Sequence, residues 1–231
     1  MNRISDLELK ILKRKIELRD NDKIEISVFG ASRGRTKLLK TSILNLYGLA
    51  KYPEKIEYLL RVDDDDKETI DFLLEDEELK IFRNLRIFIG PRVGYKYIYK
   101  TWVQLMRKCI GDIFLPFADD CGMILKEWDD ILYPYKGEEA VIIFFRKRMA
   151  FTKIAYEKHK IISEWANRTM YTDSIIYKYS INNNICVKEK KIWERYQPDD
   201  FLFKESHGGW ELEDLTILDN LPLIELYRYG E

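Results

Sequence analysis

The sequence predicts an α/β fold in which a largely parallel sheet is covered by helices on both faces. Three observations carry this. Short apolar runs of strand length alternate with longer segments of helical periodicity across residues 24–117. Each apolar run ends in a loop marked by Asp, Arg or Gly, where parallel sheets gather their ligand-binding residues. Residues of the AVILMFWYC set make up 46% of the 231 positions, enough for a substantial single core.

The elements follow in order. Residues 5–18 carry Leu7, Leu9, Ile11, Leu12, Ile16 and Leu18, a loose helical pattern that predicts a leading helix within 1–22. The run 24–29 predicts the first strand, and Gly30-Ala-Ser-Arg-Gly-Arg35 the turn after it. A helix fits 36–50, because Leu38, Leu39, Ile43, Leu46 and Leu49 share a face. A strand over 56–62 leads into the acidic loop Asp63-Asp-Asp-Asp66, and a short helix into 68–74. The pattern repeats with a strand over 85–89, the loop Gly90-Pro-Arg-Val-Gly94, a helix over 97–109 and a strand over 113–117. Connections of this kind imply right-handed crossovers. After Trp128 the pattern loosens: a strand over 140–145, helices over 153–165 and 172–179, and a strand over 185–190 are expected, with nothing assigned from Gln197 onward.

Lys and Arg number 39 against 40 Asp and Glu, a balance that excludes a dedicated nucleic-acid coat. Cys109, Cys121 and Cys186 are isolated, so neither a zinc ribbon nor a disulfide framework is indicated. The first residues have no apolar signal core, and no run approaches membrane-spanning length, so the expectation is a cytoplasmic protein with no stable membrane insertion.

Asp119 and Asp120 follow an apolar strand directly. Adjacent carboxylates at a strand end can hold Mg²⁺ or Mn²⁺, which complete their shell with water and substrate phosphates; such a pair can equally be a solvated acidic turn. Asp63 ends the second strand, where a carboxylate can accept from a ribose or base, while four like charges in a row also read as a solvated loop. Arg33 and Arg35 suit diphosphate oxygens, or stand as exposed arginines at a helix start, and Arg92 has the same choice at the next strand end.

With those residues placed, the chain resembles family 2-like GT-A glycosyltransferases, in particular their short bacterial and phage-encoded forms. Ile26-Ser-Val-Phe-Gly-Ala-Ser-Arg-Gly-Arg35 is similar to their first strand and nucleotide-binding turn, with Gly30-Ala31 where a proline is usual. Tyr58-Leu-Leu-Arg-Val-Asp-Asp-Asp-Asp66 is similar to the second strand with its base-binding aspartate. Gly111-Asp-Ile-Phe-Leu-Pro-Phe-Ala-Asp-Asp120, followed by Trp128-Asp129, is similar to the metal-binding segment, with Cys121 where many relatives have a third aspartate. The resemblance implies a GT-A fold, a Rossmann-like nucleotide-diphospho-sugar transferase domain, with 23–132 as the nucleotide-sugar-binding half and 133–231 as the acceptor-side half. It implies a metal-dependent, inverting hexosyltransferase that takes a nucleoside-diphosphate sugar, most often UDP-linked. By position, the Ala31 region meets the base, Asp63 the base or ribose, Asp119 the ribose or sugar, and Asp120 the metal.

A general base is then required on the acceptor side. Asp173, at the start of the helix over 172–179, is the candidate; capping that helix is its other reading, and Glu164 is the alternative base. His207, ahead of Gly208-Gly209, is a candidate extra metal ligand, whereas His159 reads as a surface residue. Arg146-Lys-Arg148 and Lys153, among Phe144, Phe145 and Phe151, suit an anionic acceptor, a lipid phosphate surface or DNA, or simply form a cationic strand end with its aromatics in the core. The acceptor stays open among a glycan, a lipid-linked glycan and a modified DNA base. A catalytically silent GT-A-like scaffold and a nucleotidyltransferase are the rival readings.

Overall fold

The computed structural model describes residues 24–92, 94, 98–145, 148–160, 172–195 and 224–228. The leading segment 1–22, Glu164, His207, Arg146 and Lys147 lie outside the described residues.

Four strands form the parallel heart of the sheet: β1 (Ile26–Ser32), β2 (Ile56–Asp63), β3 (Leu85–Gly90) and β4 (Ile113–Pro116). β1 lies between β2 and β4, with Ile26 level with both Ile56 and Ile113, and β2 continues to β3. All eight residues of β2 are buried, as expected of a parallel strand covered on both faces. Beyond β4 the sheet turns antiparallel. β7 (Arg148–Thr152) pairs with β4, β6 (Val141–Phe145) forms a hairpin with β7, and β8 (Cys186–Lys188) runs parallel to β6. At the other edge β10 (Ile224–Arg228) pairs antiparallel with β3, giving the order β10-β3-β2-β1-β4-β7-β6-β8. A separate two-stranded ribbon joins β5 (Cys121–Met123) to β9 (Trp193–Arg195).

Alternate residues of the central strands feed two cores, one on each face. Val28, Tyr58 and Leu60 pack with Leu39, Ile43 and Leu46 of α1 (Thr36–Gly48) and Leu73 of α2 (Lys67–Glu75). Phe29 and Leu59 pack with Tyr99 and Val103 of α3 (Ile98–Met106), Ala155 of α4 (Lys153–His159) and Ile176 of α5 (Thr172–Asn182). At the amino ends of the strands Glu57 is buried and neutralised by Arg86 at 2.9 Å, and accepts from Ser27 Oγ and the Ile110 N–H.

The first half follows the expected order closely. The second half departs from it. Residues 148–152, expected to lie between a strand and a helix, form β7 and insert between β4 and β6. The helix expected over 153–165 ends at His159, where Lys160 takes a left-handed φ of 50°. His159 is half-buried rather than a surface residue, lying 2.6 Å from Glu139 and 3.0 Å from the Tyr179 hydroxyl. Arg148 stacks on the Trp193 ring at 4.5 Å and donates to its carbonyl at 2.8 Å, which ties β7 to the ribbon.

Candidate active site

The carboxyl ends of β1, β2 and β4 bring Arg33, Arg35, Asp63, Asp119 and Asp120 together. The turn after β1 organises them. Gly34 has φ 62°, a left-handed conformation that side chains resist, and its N–H donates to Asp66 Oδ2 at 2.8 Å and to Thr69 Oγ1 at 3.2 Å. Asp66 also accepts from Thr69 N at 3.3 Å as the N-cap of α2. Pinned this way, the turn sends its two arginines to different strand ends.

Arg33 goes to β2. It makes a two-pronged pair with Asp65, with Nη2 to Oδ2 at 2.9 Å, and reaches Asp63 Oδ2 at 3.3 Å. Asp63 is 8% exposed and is also paired with Arg61, two residues earlier on the same face of the strand. Burial pushes the Asp63 carboxyl above its ordinary range, against the pull of Arg61 and Arg33. The hydrogen bond from Arg33 holds Asp65 below that range. Arg92 stands 3.8 Å from Asp65, and Arg61 also donates to the Pro91 carbonyl, drawing the loop after β3 to the cluster. Ala31 sits level with Arg61 in the β1–β2 register. The acidic run is therefore not one solvated patch: Asp63 and Asp66 are buried with partners, Asp65 is clamped at the surface, and Asp64 faces solvent.

Arg35 goes to β4. Its Nη2 lies 2.8 Å from Asp119 Oδ1 and its Nη1 3.4 Å from Asp120 Oδ2. Both aspartates are buried, at 0% and 1% exposure, and Ser32 Oγ donates to Asp119 Oδ2 at 2.6 Å. β1 and β4 come so close here that a Cβ on Gly30 would sit 2.0 Å from the Phe117 carbonyl oxygen. That contact accounts for glycine at this position, which lies within β1 and not in the turn expected from the sequence.

Cys121 follows the pair with its Sγ 3.6 Å from Asp120 Oδ1. Burial, with the adjacent Asp120 charge, pushes the thiol far above its ordinary range. A neutral, buried thiol is a poor ligand for a hard divalent cation, which prefers oxygen. Among the described residues no group of three or more His, Cys, Asp or Glu side chains could hold a metal ion, so the only protein donors here for a divalent cation would be the two aspartates. Trp128 and Asp129 have another task. Trp128 Nε1 donates to the Leu46 carbonyl at 2.9 Å, and Asp129 accepts from the Lys51 and Tyr52 N–H groups at 2.7 and 2.9 Å. They fasten the chain leaving α1.

Asp173 stands apart from this cluster. It occupies the first turn of α5, which packs against β6 and β8, and it accepts from Ser174 N at 2.7 Å. Sequence reading missed Ser32 and Arg61. Arg61 was within reach, since a residue two before a strand-end aspartate shares its face; Ser32 carried no comparable signal.

No protein-family model matches the chain, and no curated protein matches it in sequence. Solved structures do match. A structure of S. aureus TarS (fragment 1-349) aligns at TM-score 0.59 and 12% identity, over 77% of this chain and 62% of that one. The mannosyltransferase PcManGT from Pyrobaculum calidifontis, in complex with GDP-Man and Mn²⁺, aligns at TM-score 0.53 and 13% identity, over 80% and 61%. The chain spans about three fifths of the length of either structure. The fold is the GT-A, Rossmann-like glycosyltransferase fold, with a mostly parallel central sheet flanked by helices.

Proposed function

We propose that the chain is a nucleotide-sugar-dependent glycosyltransferase of the GT-A type, similar to family 2, that transfers a hexose to an acceptor hydroxyl with inversion. The observation that carries this is the convergence of Asp63, Asp119, Asp120, Arg33 and Arg35 at the carboxyl ends of β1, β2 and β4, in a fold shared with a mannosyltransferase. In this reading Asp63 and the Ala31 region receive the base and ribose, and Asp119 the ribose or sugar. Arg33, Arg35 and Arg92 face the diphosphate, whose oxygens match guanidinium forks. Asp120 holds a divalent cation, with His207 as a further candidate ligand. The cation, when bound, neutralises charge on the departing diphosphate.

The acceptor oxygen bonds to the anomeric carbon as the bond to the diphosphate breaks, leaving its electron pair on phosphate. Asp173, in the first turn of α5, takes the acceptor proton. UDP is the first candidate for the carrier, and GDP the second because PcManGT is seen with GDP-Man. The acceptor falls among a glycan, a lipid-linked glycan and a modified DNA base. The connection between β1 and α1 is held closed by Asp66 and Thr69 and is not an open glycine-rich phosphate loop, which favours this reading over a nucleotidyltransferase. No helix among the described residues is long and apolar enough to cross a membrane.

Thermal denaturation with UDP, GDP, CDP and TDP, each with and without Mn²⁺, tests the donor site. A melting temperature raised by at least one diphosphate, and raised further by Mn²⁺, is expected. Indifference to all four under both conditions would favour the silent scaffold instead.

A further inference from the structure

Arg35 is placed to control access to the aspartate pair. Two adjacent carboxylates at 0% and 1% exposure repel each other, and the Arg35 guanidinium, itself only 13% exposed, meets both. Its own contacts are uneven. The contact to Asp120 is long at 3.4 Å, and Arg35 Nε is buried with no hydrogen-bond partner among the described residues. A buried donor left unmatched is costly, so the guanidinium has something to gain from a second acceptor.

Arg35 is also the residue immediately before α1, in a non-helical conformation, and no side chain caps the first turn of that helix. A phosphate arriving beside the start of α1 would meet a guanidinium fork in need of an acceptor. Arg35 and a divalent cation compete for these carboxylates, because two positive charges within contact distance of the same oxygens repel each other.

We infer that Arg35 stands in for the divalent cation on Asp119 and Asp120 and is drawn off the pair by a nucleoside diphosphate, so that diphosphate and metal bind cooperatively. The inference rests on the transferase reading for its ligands, and goes beyond it by assigning Arg35 an exchange of partners rather than a fixed contact. Linkage makes the effect reciprocal: whatever diphosphate binding does for the metal, the metal does for the diphosphate.

The test is Mn²⁺ binding by the full chain, followed by electron paramagnetic resonance of the free ion, for the wild type, Arg35→Gln and Arg35→Lys. UDP and GDP serve as diphosphate probes. Wild type is expected to bind Mn²⁺ weakly alone and more tightly with one of the diphosphates. Arg35→Gln is expected to bind Mn²⁺ alone on the order of tenfold more tightly than wild type, with a smaller further gain from diphosphate. Arg35→Lys, whose ammonium pairs with one carboxylate at a time, is expected in between. It is the variant to read if Arg35→Gln leaves the buried pair too unbalanced to fold. Equal or weaker Mn²⁺ binding by the folded variants, while wild type still binds Mn²⁺ with diphosphate, overturns the role of Arg35 and leaves the transferase reading standing. Absence of Mn²⁺ binding by all three proteins in every condition overturns both.

Discussion

Asp63 and Asp65 are two residues apart and lie on the same arginine, yet their carboxyls move in opposite directions. Burial raises Asp63, whereas Asp65, near the surface, is lowered by its hydrogen bond from Arg33. The consequences for stability differ in sign. A lowered carboxyl contributes stability that is present above the unfolded value of about 3.9 and is lost as pH falls through the folded value. The raised Asp63 contributes below that value, and its contribution is lost as pH rises through its folded value. Asp65→Asn is therefore expected to lower the melting temperature at pH 7, with the gap from wild type closing as pH falls below 4. A gap that stays constant from pH 7 to the acid limit would show that the Arg33–Asp65 pair adds nothing. At Asp120, replacement by Asn keeps the shape and removes the charge. Metal affinity is expected to drop by at least about tenfold, since even residues one shell further out typically change it by roughly 10–100-fold. Titration with Mn²⁺ in the presence of the preferred diphosphate measures it.

At the scale of elements, the turn between β1 and α1 depends on one glycine. Gly34 has open space around its Cβ position, so substitution there is opposed by backbone conformation and not by a clash. Gly34→Ala is expected to cost about 1–2 kcal/mol in denaturant unfolding, the cost of placing a side chain in the left-handed region. A change within error would mean that the turn relaxes without loss. The same turn shows what was legible in the sequence. β1 to β4 and α1 to α3 were readable because long apolar runs and amphipathic segments alternate, and because Gly, Asp and Arg mark each strand end. β5 and β9 were not: Cys121–Met123 follows the aspartate pair directly, and Trp193–Arg195 lies among charged residues. β7 was hidden because only the two basic residues Arg146 and Lys147 separate it from β6 in sequence, and its own start is the charged Arg148. The aspartates at the strand ends were readable as candidates. Their partners were not, because pairing Arg33 with Asp65 and Arg35 with Asp119 requires the register of three strands.

At the level of the whole molecule, the parallel strands hold the charged cluster, and the antiparallel strands β6 and β7 continue the sheet beyond β4, with α5 packed on β6 and β8. Asp173 is the link that the proposed reaction needs between the two. Asp173→Asn is expected to keep diphosphate and Mn²⁺ binding while losing sugar transfer, and unchanged transfer would remove it as the base. If the clustered strand ends activate a nucleotide sugar, slow donor hydrolysis reports it without knowledge of the acceptor. UDP- and GDP-linked hexoses are incubated with the wild type and with Asp120→Asn, with and without Mn²⁺, and the released diphosphate is quantified. Mn²⁺-stimulated release from at least one donor is expected of the wild type, with its loss in Asp120→Asn; release that is equal in the two proteins, or absent from the wild type with every donor, would rule out activation of a nucleotide sugar by these strand ends.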